Sequence, residues 1–199
     1  DWESIMTLPW HFKPAEDNTL LIDPVEELQS LRYNERQHGD LKLSEGEEVV
    51  VEGFDGDCVE IQLRLEPENA TRFGLKLLCS PNLEEETVIT YDMEDQEFVI
   101  DFEKASENAI EYRIGNRNTL GKGSLKQVVP FPHQEDGVLD LDIFVDRSVI
   151  EVFVNSQICL VQRVYPLRDE SKQFRLFSKN GKVRASKLFK WEMEATNPW

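Results

Sequence analysis

No stretch of this 199-residue sequence approaches the about twenty consecutive apolar residues that a membrane-crossing helix needs, so no such helix is expected. Basic residues are scarce beside acidic ones, 22 against 39, and the net charge is −17. An acidic surface gains no counterion release from a polyanion, which makes nucleic acid and anionic membranes unexpected partners. The excess acid is expected to solvate outer strand faces. Cysteine is limited to Cys58, Cys79 and Cys159, an odd number without C-x-x-C spacing. Each lies in or beside an apolar run and reads as a buried free thiol; a Cys58–Cys79 pairing across strands needs a geometry that spacing cannot supply. The three histidines, His11, His38 and His133, have neither H-E-x-x-H spacing nor partners at fixed offsets, so they read as loop residues rather than as a metal centre or catalytic dyad. A G-x-S-x-G elbow, a P-loop and a dinucleotide fingerprint are all missing. The opening DWESIMTLPW lacks the basic and apolar regions of a signal peptide, and a start inside an apolar strand-like segment is expected of a fragment.

What is present is strand pattern, and residues 139–166 carry it most strongly. Leu139, Leu141, Ile143 and Val145 alternate with Asp140, Asp142 and Phe144, the period of two that places successive side chains on opposite faces of a sheet. After Asp146, Arg147 and Ser148, the alternation resumes with Ile150, Val152 and Val154 on one face and Val149, Glu151 and Phe153 on the other. Asn155, Ser156 and Gln157 break it before a third run through Ile158, Leu160 and Val164. The two connections are too short for a crossover helix, which predicts an antiparallel meander. Ile143, Ile150, Val152, Val154, Ile158 and Leu160 are expected in the core. Phe144, Phe153 and Val161 put apolar groups on the second face, so that face is expected to be partly covered and the three strands central.

Elsewhere, residues 4–9 and 20–22 read as short strands. Asp23 as N-cap, Pro24 at the first helical position and acids in the first turn predict a two-turn α-helix ending near Arg32, with Val25, Leu28 and Leu31 on its apolar side. Residues 33–48 are polar and read as a linker, placing a boundary between a unit at 1–34 and a domain at 35–199. Runs at 49–54, 58–65, 72–79, 87–92 and 97–102, punctuated by turn residues, predict an all-β fold, a sandwich of two antiparallel sheets. Residues 104–126 read as a long loop or irregular hairpin. A strand at 174–178, a turn at 179–181 and a closing strand through Val183, Ala185, Leu188 and Trp191 complete the chain.

Chemistry is less legible. Glycosidases commonly use two carboxyl groups roughly 5 to 9 Å apart, and among 39 acids some pair is always close. Asp146 and Glu151 stand out, one in a turn and one on a central strand. Asp146 is expected to cap the Ser148 backbone N–H as an Asx-type turn. Asn69-Ala70-Thr71 is a glycosylation sequon that arises easily by chance. Trp2, Trp10, Trp191 and Trp199 can stack on sugar rings, although aromatics more often fill cores and interfaces.

Taken together, Trp2 with Met6-Thr7-Leu8-Pro9, then Pro24-Val25, Glu27-Leu28 and Leu31-Arg32, then Phe144-Val145-Asp146-Arg147-Ser148, Glu151-Val152-Phe153-Val154-Asn155, Arg163-Val164-Tyr165-Pro166 and Trp191 with Met193 follow a known order and spacing. The chain resembles the C-terminal portion of glycoside hydrolase family 32, the invertases, inulinases, levanases and related β-fructosidases. Trp10 is a departure, since the family often has arginine after the Leu-Pro pair. The resemblance implies a five-bladed β-propeller upstream that carries catalysis, with this chain supplying the end of the last blade, an interdomain helix and the β-sandwich. It also implies motifs of the types Trp-x-Asn-Asp-Pro-Asn, Arg-Asp-Pro and Glu-Cys for the catalytic acids. None occurs; Arg168-Asp169 is followed by Glu170. No catalytic, cofactor-binding or metal-binding residue is therefore assigned to this chain. The expected role is a non-catalytic module whose partners are the propeller, a fructoside or a second copy of itself. The alternatives are a free-standing fructan-binding module and a structural or oligomerising domain.

Overall fold

A computed structural model describes residues 5–107, 125–131 and 136–195. Trp2, Ser4, His133, Trp199 and most of the irregular stretch expected at 104–126 lie outside the described residues. The described chain is almost entirely antiparallel strand, arranged as two packed sheets and a small hairpin. Among the described residues, no helix is long and apolar enough to cross a membrane.

The hairpin joins β1 (Trp10–Pro14) to β2 (Leu20–Pro24). A six-residue 3-10 helix, Glu26–Leu31, follows. Next come β3 (Arg32–His38), β4 (Leu41–Leu43), β5 (Glu48–Val50), β6 (Cys58–Pro67), β7 (Arg72–Cys79), β8 (Thr87–Asp92), β9 (Glu97–Asp101) and β10 (Lys126–Pro130). The chain ends through β11 (Leu139–Asp146), β12 (Val149–Val154), β13 (Ile158–Arg163), β14 (Gln173–Asn180) and β15 (Val183–Met193). One sheet has the order β10-β9-β8-β7-β14-β5, and the other β13-β12-β11-β6-β15-β3, with β4 also paired to β15. The inner faces meet in one apolar core. Ile61, Leu63, Ile143, Val152 and Leu160 come from one sheet, and Leu75, Ile89, Ile100 and Leu176 from the other. This is the β-sandwich that the alternation predicts.

The meander forms as expected, with Ile143, Ile150, Val152, Val154 and Leu160 buried and Ile158 packed against the core. Its first turn is tighter than the sequence suggests. Asp146 is the last ladder residue, opposite Val149, so the loop is Arg147 and Ser148 alone, with Arg147 at positive φ. Asp146 faces Cys58, whose thiol lies 3.7 Å away, and no Asx cap on Ser148 forms. The second connection is the three residues Asn155, Ser156 and Gln157, turned by Asn155 and Ser156 at positive φ, with the Gln157 N–H donating to the Val154 carbonyl at 2.9 Å. β13 is an edge strand rather than a central one.

Three local expectations fail for identifiable reasons. Residues 5–9 make no strand, because Pro9 has no N–H to donate and the Leu8 N–H is taken by a side chain. Asp23 and Pro24 cap no helix, because both belong to β2, where Pro24 sits opposite Trp10 and holds Asp23 extended. The α-helix is therefore replaced by the 3-10 turn, without a side-chain cap. The stretch 33–48 is not a linker: β3 pairs with β15 over Arg32–His38 and passes straight through the expected division at 34/35. Its polarity is that of an edge strand whose side chains are mostly exposed.

Gly74 is sterically required. A Cβ at Gly74 would lie 2.0 Å from the Ile89 carbonyl oxygen, so β7 can approach β8 only without a side chain there. All three cysteines are free; Cys58 lies on β6 and Cys79 on β7, in different sheets. A buried carboxylate, Glu85, ties the loops at one end. It accepts from the backbone N–H of Glu107 at 2.8 Å, Leu167 at 2.9 Å and Arg168 at 3.1 Å, and from the Ser171 hydroxyl at 2.6 Å.

Candidate functional site

The outer face of the seven-stranded sheet is the part of the molecule with chemistry on it. Alternation fixes what it presents: Glu60 and Gln62 from β6, Asp140, Asp142 and Phe144 from β11, Glu151 and Phe153 from β12, and Phe189 and Trp191 from β15. An exposed sheet face would be polar throughout, yet this one carries aromatics. Residues 5–9, the β1–β2 hairpin and the 3-10 helix fold back over it.

Half of the covered face is apolar. Leu28, Phe144 and Phe153 form its buried centre, with Leu8, Trp10, Ile22, Val25, Leu31 and Met193 packed around them. Trp10 meets Phe153 edge-on at 6.1 Å, and Phe144 meets Phe153 in the same way. Glu151 lies at the rim of this cluster, only 4% exposed. Its carboxylate accepts the Leu8 backbone N–H at 2.7 Å and the Trp10 indole N–H at 3.2 Å. Burial raises the Glu151 pKa, and these two donors offset part of the rise. The departure noted at Trp10 is thus where the chain supplies an indole donor to an internal acid.

The other half is polar. Arg32, at the start of β3, forks onto Glu60, with Nε 2.7 Å from Oε2 and Nη2 on Oε1. Its guanidinium lies 4.2 Å above the Trp191 ring, which stacks on Phe189 and donates its indole N–H to Glu35 at 3.0 Å. The Gln62 amide nitrogen bridges two acids, 3.1 Å from Glu60 Oε1 and 3.0 Å from Asp142 Oδ2. Burial, followed by the charge of Glu60, pushes the Asp142 carboxyl well above the usual aspartate range. Two clefts of about 330 and 210 Å3 flank this cluster, sharing Asp23, Pro24, Gln62 and Asp142 in their walls.

The arrangement holds elements of the chain together. Of the residues singled out from sequence, Glu151 and Asp146 both lie on this face by alternation, Glu151 under residues 8 and 10 and Asp146 at the end of its strand beside Cys58, so they serve different partners. Trp10 and Trp191 are internal contacts rather than exposed platforms. His11 lines the smaller cleft, whereas His38 Nδ1 lies 2.7 Å from the Gly39 carbonyl oxygen. Asn69 of the sequon is exposed, and its Oδ1 accepts the Lys182 backbone N–H at 2.7 Å. Among the described residues, no group of His, Cys, Asp or Glu is placed to hold a metal ion. Sequence reading missed Glu60, Gln62 and Asp142. The available signal was the aromatic second face of the meander, since a covered face obliges every acid on it to find a partner.

Comparison with known proteins places the chain. It is 26% identical over 201 residues to a sucrose-6-phosphate hydrolase of Zymomonas mobilis, matching 98% of this chain and 36% of that protein. It is 26% identical over 192 residues to a levanase of Bacillus subtilis, matching 94% of this chain and 27% of that protein. The chain therefore spans about a third of the length of the curated relatives it matches. Among solved structures, the exo-inulinase of Aspergillus awamori superposes with a TM-score of 0.73 at 25% identity, over 98% of this chain and 37% of that one. The fructan 1-exohydrolase IIa of Cichorium intybus shares the fold at a TM-score of 0.75 and 18% identity, over 94% of this chain and 41% of that one. The family model described as glycosyl hydrolases family 32 C terminal matches residues 27–192, and the chain belongs to that family, as its C-terminal β-sandwich module.

Proposed function

We propose that this module is the non-catalytic brace of a longer β-fructosidase, docked through its N-terminal hairpin onto a catalytic domain that precedes it. One observation carries the reading. Among the described residues, three exposed large apolar side chains lie close together near the start of the chain, Met6 94%, Phe12 51% and Leu20 53% exposed, while the others, Tyr33, Val50, Val128 and Leu167, are scattered along it. Trp10 and Ile22, on the same hairpin, are packed onto the sandwich. Part of the hairpin's apolar surface is thus covered by this chain, and the rest is open to a neighbour. In this reading residues 1–34 form the joint and 35–199 the sandwich, with β3 fastening one to the other. The longer protein would hydrolyse terminal fructosyl linkages of sucrose or fructans, and the catalytic acids would lie outside this chain.

The test has two parts. Purified chain is expected to release no fructose from sucrose, inulin or levan, and the host protein that contains it is expected to extend well beyond 199 residues. In that longer protein, Phe12→Asp should shorten the thermal half-life of activity. Fructose release by the chain alone, lost on mutating one of its own acids, would overturn the reading. Retardation of the isolated chain in levan-containing gels would favour a sugar-binding module instead.

A further inference from the structure

The polar half of the covered face contains more acid than its one guanidinium can neutralise. Glu60 is fully buried and Asp142 is held beside it by the shared Gln62 amide, yet Arg32 forks onto Glu60 alone. Asp142 Oδ2 accepts from Gln62, while its Oδ1 is buried without a donor. Two neighbouring carboxylates with one guanidinium bonded to the first ionise together only at high cost, because the second negative charge repels the first and one of its oxygens is buried without a donor. A proton on Asp142 removes that charge and supplies the O–H that the site lacks. The clefts on either side give this proton access to solvent.

We propose that Asp142 holds a proton on this buried face and that its loss loosens the hairpin and 3-10 helix from the outer face of the sheet. The strap over this face carries His11 and Lys13 on β1, Asp23 on β2, Glu26 in the helix, and Arg32 and Glu35 on β3. The face itself presents Glu60, Asp140, Asp142 and Lys187 around the clefts, with Glu151 under residues 8 and 10. Asp140 is already paired with Arg64 at 2.7 Å. A second charge at Asp142 pulls Arg32 between two acids and weakens its fork on Glu60, which is what fixes the helix end to β6. The coupling runs toward release at higher pH: an acid whose folded pKa is raised stabilises the closed strap below its unfolded value, and the contribution is lost as pH rises through the folded value.

The experiment uses the whole chain labelled with 13C and 15N. The Asp142 carboxyl carbon is expected to titrate well above the ordinary aspartate value of about 3.9. Exchange of the Ile22 and Glu194 amides, bonded to the Ser156 and Leu31 carbonyls across the strap boundary, reports strap opening. After correction for intrinsic rates, their protection should fall as pH rises through the Asp142 transition, by at most about tenfold per pH unit for one proton. Asp142→Asn should flatten that dependence. Imidazole also changes charge between pH 5 and 8, so His11→Gln is the control and should leave the dependence in place. An ordinary Asp142 titration, flat protection in the wild type, or a dependence that survives Asp142→Asn or vanishes in His11→Gln would overturn the proposal. If Asp142→Asn does not fold, the wild-type carbon titration and amide protection still decide it.

Discussion

Two buried acidic sites, the Glu85 hub and the Glu60–Asp142 pair, show opposite ways of keeping a carboxylate out of water. At Glu85, burial alone would raise the pKa, but the Ser171 hydroxyl and the Leu167, Glu107 and Arg168 N–H groups bring it below the ordinary value. Four donors converge on one charge, and three loops are locked as a result. At Asp142, the amide donor is shared with Glu60 and the Arg32 guanidinium is bonded to Glu60, so burial and mutual repulsion prevail. Supply of donors, rather than depth, decides whether a buried acid is a fastener or a proton store.

The comparison can be broken or sharpened by mutation, beginning with the hub. Glu85→Ala strands several buried donors at once and should cost about 3–5 kcal/mol, read as a lowered urea midpoint at unchanged slope. A neutral result would mean that water replaces the carboxylate and that the hub is no fastener. Val152→Ala supplies the apolar yardstick: a cavity under a fully buried side chain should cost about 1–3 kcal/mol. An unchanged midpoint in Val152→Asp would show that this face is not buried at all. Glu151→Ala should be milder, about 1–2 kcal/mol for two lost hydrogen bonds with partial solvent rescue. Its clearer sign is local, since residues 5–12 should become the first site of protease cleavage while the sandwich stays intact.

The smallest effect is in pH, and the two sites pull in opposite directions. Glu85, and the exposed Glu48 whose carboxylate is held down by Lys76 and Arg175, contribute stability that is present above pH 4.5 and lost as pH falls through their lowered pKa values. Asp142 and Glu151 contribute in the other sense: their share is present below the unfolded values and is lost as pH rises through the raised ones. Denaturant midpoints should therefore peak in mildly acidic solution. A midpoint rising steadily from pH 5 to 8 would mean that the raised acids are absent.

Much of the fold was written in local alternation. The meander, β6 to β9 and the closing strands β14 and β15 follow from period-two runs and turn residues, because a strand with one buried face must repeat every second residue. The apolar side of Val25, Leu28 and Leu31 was equally legible, and so was family membership, through motifs whose order survives at 26% identity. Charged edge strands were not legible: β3 shows no apolar stripe because its bonds to β15, not its side chains, place it. The strap over the outer face was hidden for the same reason. Only the tertiary structure could bring Leu8 and Trp10 to Glu151, or Arg32 to Glu60, across separations of 143, 141 and 28 residues. A local pattern determines which residues turn inward, since that depends on backbone period. Which acid meets which donor depends on sheet order and on what folds over the sheet, and these are properties of the whole chain.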